Sequence, residues 1–165
     1  MGHPLLDAIK NSKLTALDVN TSSPIIALLP GSRQMELKNN LPLMVHLAQQ
    51  HPEYRFVVAG MSLLGKSAYN KYIPAGGNID VVYDQTYSLL SHAHAAIVCS
   101  GTATLEAALF DVPQVVCYSG NPISYIIARA VVSRRIRFIS LVNLIADSPI
   151  VTELIQGDFN SERLE

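Results

Sequence analysis

Leu28-Leu29-Pro30-Gly31-Ser32-Arg33 closes an apolar run that begins at Ile25, and Cys99-Ser100-Gly101-Thr102-Ala103-Thr104-Leu105-Glu106 closes another that begins at Ala95. Each reads as a buried β-strand that ends in glycine and hydroxyl residues and opens a helix. The first N–H groups of a helix have no intrahelical acceptor, and the aligned peptide dipoles leave partial positive charge there, so a turn of this kind receives anions. The pair predicts an α/β domain that handles phosphate.

Outward from these turns, short β-rich runs alternate with helical segments, the pattern of βαβ units with right-handed crossovers. Six strands are expected: Ile25 to Leu29, Arg55 to Ala59, Ile79 to Val82, Ala95 to Cys99, Gln114 to Cys117 and Arg137 to Ser140. The expected fold is a single α/β domain, a parallel sheet of about six strands with helices on both faces. Leu37, Leu41, Met44 and Ala48 share one helix face. Pro42 inside that stretch predicts a kink or a restart, because proline lacks the amide donor and crowds the preceding turn. A second helix is expected from Leu64 to Ile73, a third capped by Asp84 and running to Leu90, and a fourth from Thr102 to Phe110. Asn121-Pro122 opens Ile123 to Val132, which is apolar nearly all round. Its cover is a second domain, a membrane surface reached through Arg129, Arg134 and Arg135, or this domain's own core.

The 165 residues suit one domain. Residues 4 to 10 read as a helical turn and Asn11 to Ser23 as a polar connector, so 1–23 is expected to be a linker between domains and 24–165 the domain itself. Asn160-Ser161-Glu162 reads as a helix cap, with Leu164-Glu165 as an appended dipeptide, which suggests a piece of a longer protein. With 49% apolar and 15% charged residues the chain is compact rather than disordered. The net charge of −1 lacks the basic footprint of a nucleic-acid binder. Cys99 and Cys117 each close a hydrophobic strand and read as buried free thiols. No apolar run approaches a membrane span, and Met1-Gly2-His3-Pro4 does not look like a leader. A cytoplasmic domain is expected, with the inner face of the membrane open as a contact.

Arg33 stands just beyond the first strand, where open α/β sheets bind ligands, and its planar fork of donors suits a diphosphate. Gly31 allows close backbone approach, while Ser32 caps the helix or meets a phosphate oxygen. In the second turn Ser100, Gly101, Thr102, Ala103 and Thr104 supply hydroxyls, a glycine and small side chains at a helix start. Ala103 precludes a capping box with Glu106, whose carboxylate is left to accept from vicinal hydroxyls such as those of ribose or to sit as a solvated glutamate favoured by the dipole. Asn143, Glu153 and Gln156 are later polar candidates, the last two expected to share a helix face. A Gly-x-Gly-x-x-Gly turn and a Gly-x-Ser-x-Gly elbow are both missing from the sequence. His92 and His94 have no supporting ligand cluster, so no metal and no cofactor are expected.

The segments Gly2-His3-Pro4-Leu5, Leu28 to Arg33 with Glu36, Ser100 to Glu106, Pro113 to Tyr118, Ser140-Leu141-Val142-Asn143 and Glu153-Leu154-Ile155-Gln156 resemble, in this order, the C-terminal half of lipid-A-disaccharide synthases. These are glycosyltransferases built from two Rossmann-like domains, the GT-B arrangement. The resemblance implies a donor-binding domain for UDP-2,3-diacylglucosamine. The acceptor, 2,3-diacylglucosamine 1-phosphate, and the general base belong to the other half, so the piece alone is expected to be inactive. It further implies that Arg33 and Asn143 serve catalysis, and that Gly31, Ser32, Arg33, Ser100, Gly101, Thr102, Ala103, Thr104, Glu106, Asn143, Glu153 and Gln156 hold the donor. A UDP-sugar epimerase domain and a non-catalytic nucleotide-binding or docking module are the alternatives.

Overall fold

A computed structural model describes residues 4–12, 14–17, 19, 22–118 and 138–155. Helix α1 (Pro4–Asn11) is followed by β1 (Ile25–Leu29), α2 (Gln34–Gln50), β2 (Arg55–Gly60), a 3₁₀ turn (Ser62–Leu64), α3 (Ser67–Asn70), β3 (Ile79–Tyr83), α4 (Thr86–Leu90), β4 (Ala95–Cys99), α5 (Ala103–Leu109), β5 (Gln114–Tyr118), α6 (Leu141–Ala146) and β6 (Thr152–Ile155). The six strands form one sheet in the order β3-β2-β1-β4-β5-β6, and every pairing is parallel. This is the doubly wound, Rossmann-like order, which reverses direction between β1 and β4.

Strand alternation sorts the apolar residues to two cores. On one face Leu28, Phe56, Val58 and Ile97 meet Leu37, Leu41, Met44 and Ala48 of α2, together with Tyr69. On the other, Ala27, Leu29, Val57, Ala96 and Val98 meet Leu89 and Leu90 of α4 and Ala107 of α5. A side chain such as Leu41, fully buried, contributes about 1.5–3 kcal/mol by leaving water. Leu17 and Val19 also pack on the second core, and Thr15 N–H donates to Ser88 Oγ at 2.9 Å, so part of the connector lies against the domain.

Five strands fall where the sequence places them. The sixth does not: β6 is Thr152–Ile155, paired with β5, while residues 138–140 lead into α6. The N–H groups of Ile139 and Ser140 go to the Glu153 carboxylate instead of a strand ladder, and Ser140 Oγ caps α6 by accepting Asn143 N–H. Glu153 is therefore a strand residue and not part of a helix face; Gln156 lies outside the described residues, as do Arg137 and the Ile123-to-Val132 segment with Arg129, Arg134 and Arg135.

Three local expectations also change. Helix α2 runs through Pro42 without a restart; Pro42 is exposed, so water can serve the carbonyl it leaves free. The expected Leu64-to-Ile73 helix breaks at Gly65, whose φ of +76° is left-handed, into the 3₁₀ turn and the short α3. Asp84 does not cap α4: Gln85 holds that position, while Asp84, at φ +55°, accepts Ser62 N–H at 3.1 Å.

Candidate functional site

Both glycine turns lie at the carboxyl ends of β1 and β4, which are direct neighbours in the sheet. Between them opens a cleft of about 360 Å³. Its walls are Gly31, Ser32, Arg33 and Glu36 after β1, Ala59 and Met61 at the end of β2, Thr86 of α4, and Ser100, Gly101, Thr102, Ala103 and Glu106 after β4, with Leu29 and Cys99 at its base. This is the crevice at the reversal of strand order, where open α/β sheets take their ligands.

The two turns present different faces. In the first, Glu36 Oε2 accepts the N–H groups of Ser32 at 2.8 Å and Arg33 at 3.3 Å. Gly31 adopts φ +115°, and a Cβ there would overlap the Glu36 side chain, so glycine is required twice over. The Arg33 side chain is 82% exposed and its Nη1 lies 3.6 Å from Glu36 Oε1. In the second turn, among the described residues, the N–H groups of Gly101, Thr102 and Ala103 make no hydrogen bond. Thr104 is buried and its hydroxyl donates to the Gly101 carbonyl at 2.8 Å, fixing the bend rather than facing a ligand. Ser100 Oγ donates to the Ile139 carbonyl at 3.1 Å.

Glu106 lines the cleft half-buried, and burial raises its pKa above the usual glutamate range, opposed by a hydrogen bond from Tyr87. Tyr87 Oη donates to Glu106 Oε1 at 3.3 Å. At the base, Cys99 is a free thiol whose pKa is pushed up to about 11 by burial and by the nearby Glu36 charge.

Asn143 and Glu153 are not part of this cleft. They form a brace behind it. The Glu153 carboxylate accepts from Ile139 N–H (3.0 Å), Ser140 N–H (2.9 Å), Ser140 Oγ (2.7 Å) and Asn143 Nδ2 (2.9 Å). Asn143, buried, also exchanges two hydrogen bonds of 2.8 Å with the Val151 backbone. Among the described residues a hydrogen bond from Ser100 to Ile139 ties the brace to the cleft, and α6 also packs on α5, which carries Ala103 and Glu106. Sequence reading passed over Tyr87, Thr86 and Met61 and did not place Glu36 among the site residues. Glu36 had a local signal, a carboxylate one helical turn after a Gly-Ser pair. The others are brought in by packing between elements distant in sequence.

Fold and cleft together define the class: a Rossmann-like α/β domain with its cleft at the switch of strand order. A solved structure titled as the glycotransferase of kitacinnamycin shares this fold, with a TM-score of 0.55 and 15% identity over 90% of this chain and 35% of that one. The match to the lipid-A-disaccharide synthetase family runs over residues 1–165, and the chain belongs to that family. It is 37% identical to the lipid-A-disaccharide synthase of Anaeromyxobacter sp. (strain K) over 99% of this chain and 45% of the relative. Lipid-A-disaccharide synthase 1 of Legionella pneumophila (strain Lens) is 34% identical over the same shares. The chain thus spans a little under half the length of these relatives.

Proposed function

We propose that the chain is the nucleotide-sugar-binding domain of a lipid-A-disaccharide synthase, holding UDP-2,3-diacylglucosamine while its sugar passes to 2,3-diacylglucosamine 1-phosphate. The observation that carries this reading is the convergence of both glycine turns on one cleft at the strand switch. In the reaction the anomeric C1–O bond to UDP breaks, a new bond forms to the acceptor hydroxyl, and that hydroxyl's proton goes to a base in the remainder of the protein. Negative charge gathers on the departing diphosphate. Arg33 and the unbonded amides of Gly101, Thr102 and Ala103 meet it with donors already in place. Gly31, Ser32 and the bend held by Thr104 give these groups their shape, and Glu106 accepts from the ribose hydroxyls. Asn143 and Glu153 act through the brace on Ser100, and Gln156 is carried as a donor contact by the resemblance alone. The chain by itself binds UDP and does not transfer sugar.

The test is a transfer assay on the full-length protein with both lipid substrates, products read by mass spectrometry. Disaccharide and UDP are expected, and Arg33→Ala lowers turnover about a hundredfold. An epimerised sugar nucleotide, or no product, contradicts the assignment.

A further inference from the structure

Glu36 lines the cleft, yet both of its carboxylate oxygens are engaged by the first turn itself. Oε2 accepts the Ser32 and Arg33 N–H groups just ahead of α2, and Oε1 lies 3.6 Å from Arg33 Nη1. The absent side chain at Gly31 is what makes room for it. Two amides of the first turn, those of Ser32 and Arg33, are therefore already taken by the chain's own carboxylate. The same group is the ion-pair partner of a guanidinium that is otherwise exposed to solvent.

Resting on the donor-site reading above, we propose that Glu36 is a positioning residue for the diphosphate. It occupies the Ser32 and Arg33 amides and holds the Arg33 fork at the lip of the cleft, so that a nucleoside diphosphate is met in the first turn by the Arg33 side chain in place of those two amides. Charge alone argues the opposite sign. A carboxylate lining an anion site repels the anion, so removing a purely electrostatic Glu36 would tighten diphosphate binding. Removing a positioning Glu36 weakens it, and only while Arg33 is present.

Glu36→Gln separates the two, since the amide oxygen still accepts the Ser32 and Arg33 N–H groups while the charge facing Arg33 is gone. UDP and UMP are titrated by calorimetry into the full-length protein carrying this chain, as wild type, Glu36→Gln, Arg33→Ala and the double variant, with melting temperatures recorded alongside. Glu36→Gln is expected to weaken UDP three- to tenfold and UMP by less, and to add nothing in the Arg33→Ala background. UDP binding that is unchanged or tighter, equal losses for UDP and UMP, or independent losses in the double variant overturn the proposal. If Glu36→Gln does not fold, Glu36→Asp keeps the charge but shortens its reach, and the same loss of preference for UDP is expected. Wild-type protein that binds no UDP overturns the donor-site reading itself, and this inference with it.

Discussion

Asn40 of α2 is hydrogen-bonded to Cys99 at the end of β4, its Nδ2 lying 3.2 Å from Sγ, and the same amide donates to the Pro30 carbonyl at 3.0 Å. One buried side chain thus ties the carboxyl ends of β1 and β4, from which the two glycine turns spring. The spacing of the two turns, which in the proposed function suits a single diphosphate, is fixed from beneath.

Removing that tie is expected to loosen the cleft. Asn40→Ala costs about 1–3 kcal/mol of stability, read from chemical denaturation, because the buried Pro30 carbonyl loses its donor. Asn40→Asp is nearly isosteric yet costs more, since it replaces the donor with an acceptor and buries a charge. Equal stability of Asn40→Asp and wild type contradicts the role.

Glu106 gives a pH signature. Burial holds its pKa above the ordinary range, so protonation sets in at higher pH than for a solvated glutamate. As an acceptor for ribose hydroxyls it must be ionised. Affinity for a uridine nucleotide is therefore expected to fall on acidification toward and through the raised pKa, beyond what the phosphate's own titration causes. The difference between wild-type and Glu106→Gln profiles isolates the residue. The stability sign runs the other way. A raised carboxyl pKa means that the folded state favours the protonated form, so its contribution is present in full below the unfolded pKa and is lost as pH rises through the folded value. Glu106→Gln should therefore melt at or above wild type at neutral pH, with the gap closing in acid. Parallel binding profiles would remove Glu106 from the site.

The brace behind the cleft has a structural and a binding consequence. Glu153→Gln turns amide protons toward groups that now donate to a carboxylate, and is expected to cost about 2–4 kcal/mol. With residues 138–140 released, Ser100 loses its partner and UDP binding weakens. A variant with wild-type melting temperature and wild-type affinity contradicts the brace.

The legibility of the sequence follows physical lines. Strands β1 and β4 are continuous apolar runs closed by turn residues, and β2, β3 and β5 are mostly apolar runs that admit Arg55, Asp80 and Gln114, a pattern that marks parallel strands. The two turns were legible for the same reason, as local backbone chemistry. Phe138-Ile139-Ser140 carries the same apolar mark as a strand, yet its amides are captured by Glu153. Thr152 to Ile155 carries too little apolar pattern to stand out, and becomes a strand because β5 offers it a free edge. Asn143 and Glu153 read in the sequence as donor-site residues, and their partners in the brace, set by tertiary packing, leave no local mark. Tyr87 reaches Glu106 across a gap of 19 residues, and no local pattern encodes that contact.

The most direct measurement is a UDP titration of this chain followed by backbone amide NMR. If both turns clasp one diphosphate, the amides of Gly31 and Arg33 and those of Gly101, Thr102 and Ala103 shift together along a single isotherm, with a dissociation constant of roughly 0.01–1 mM. Shifts confined to one turn, two different isotherms, or no movement at either turn would contradict a shared anion site.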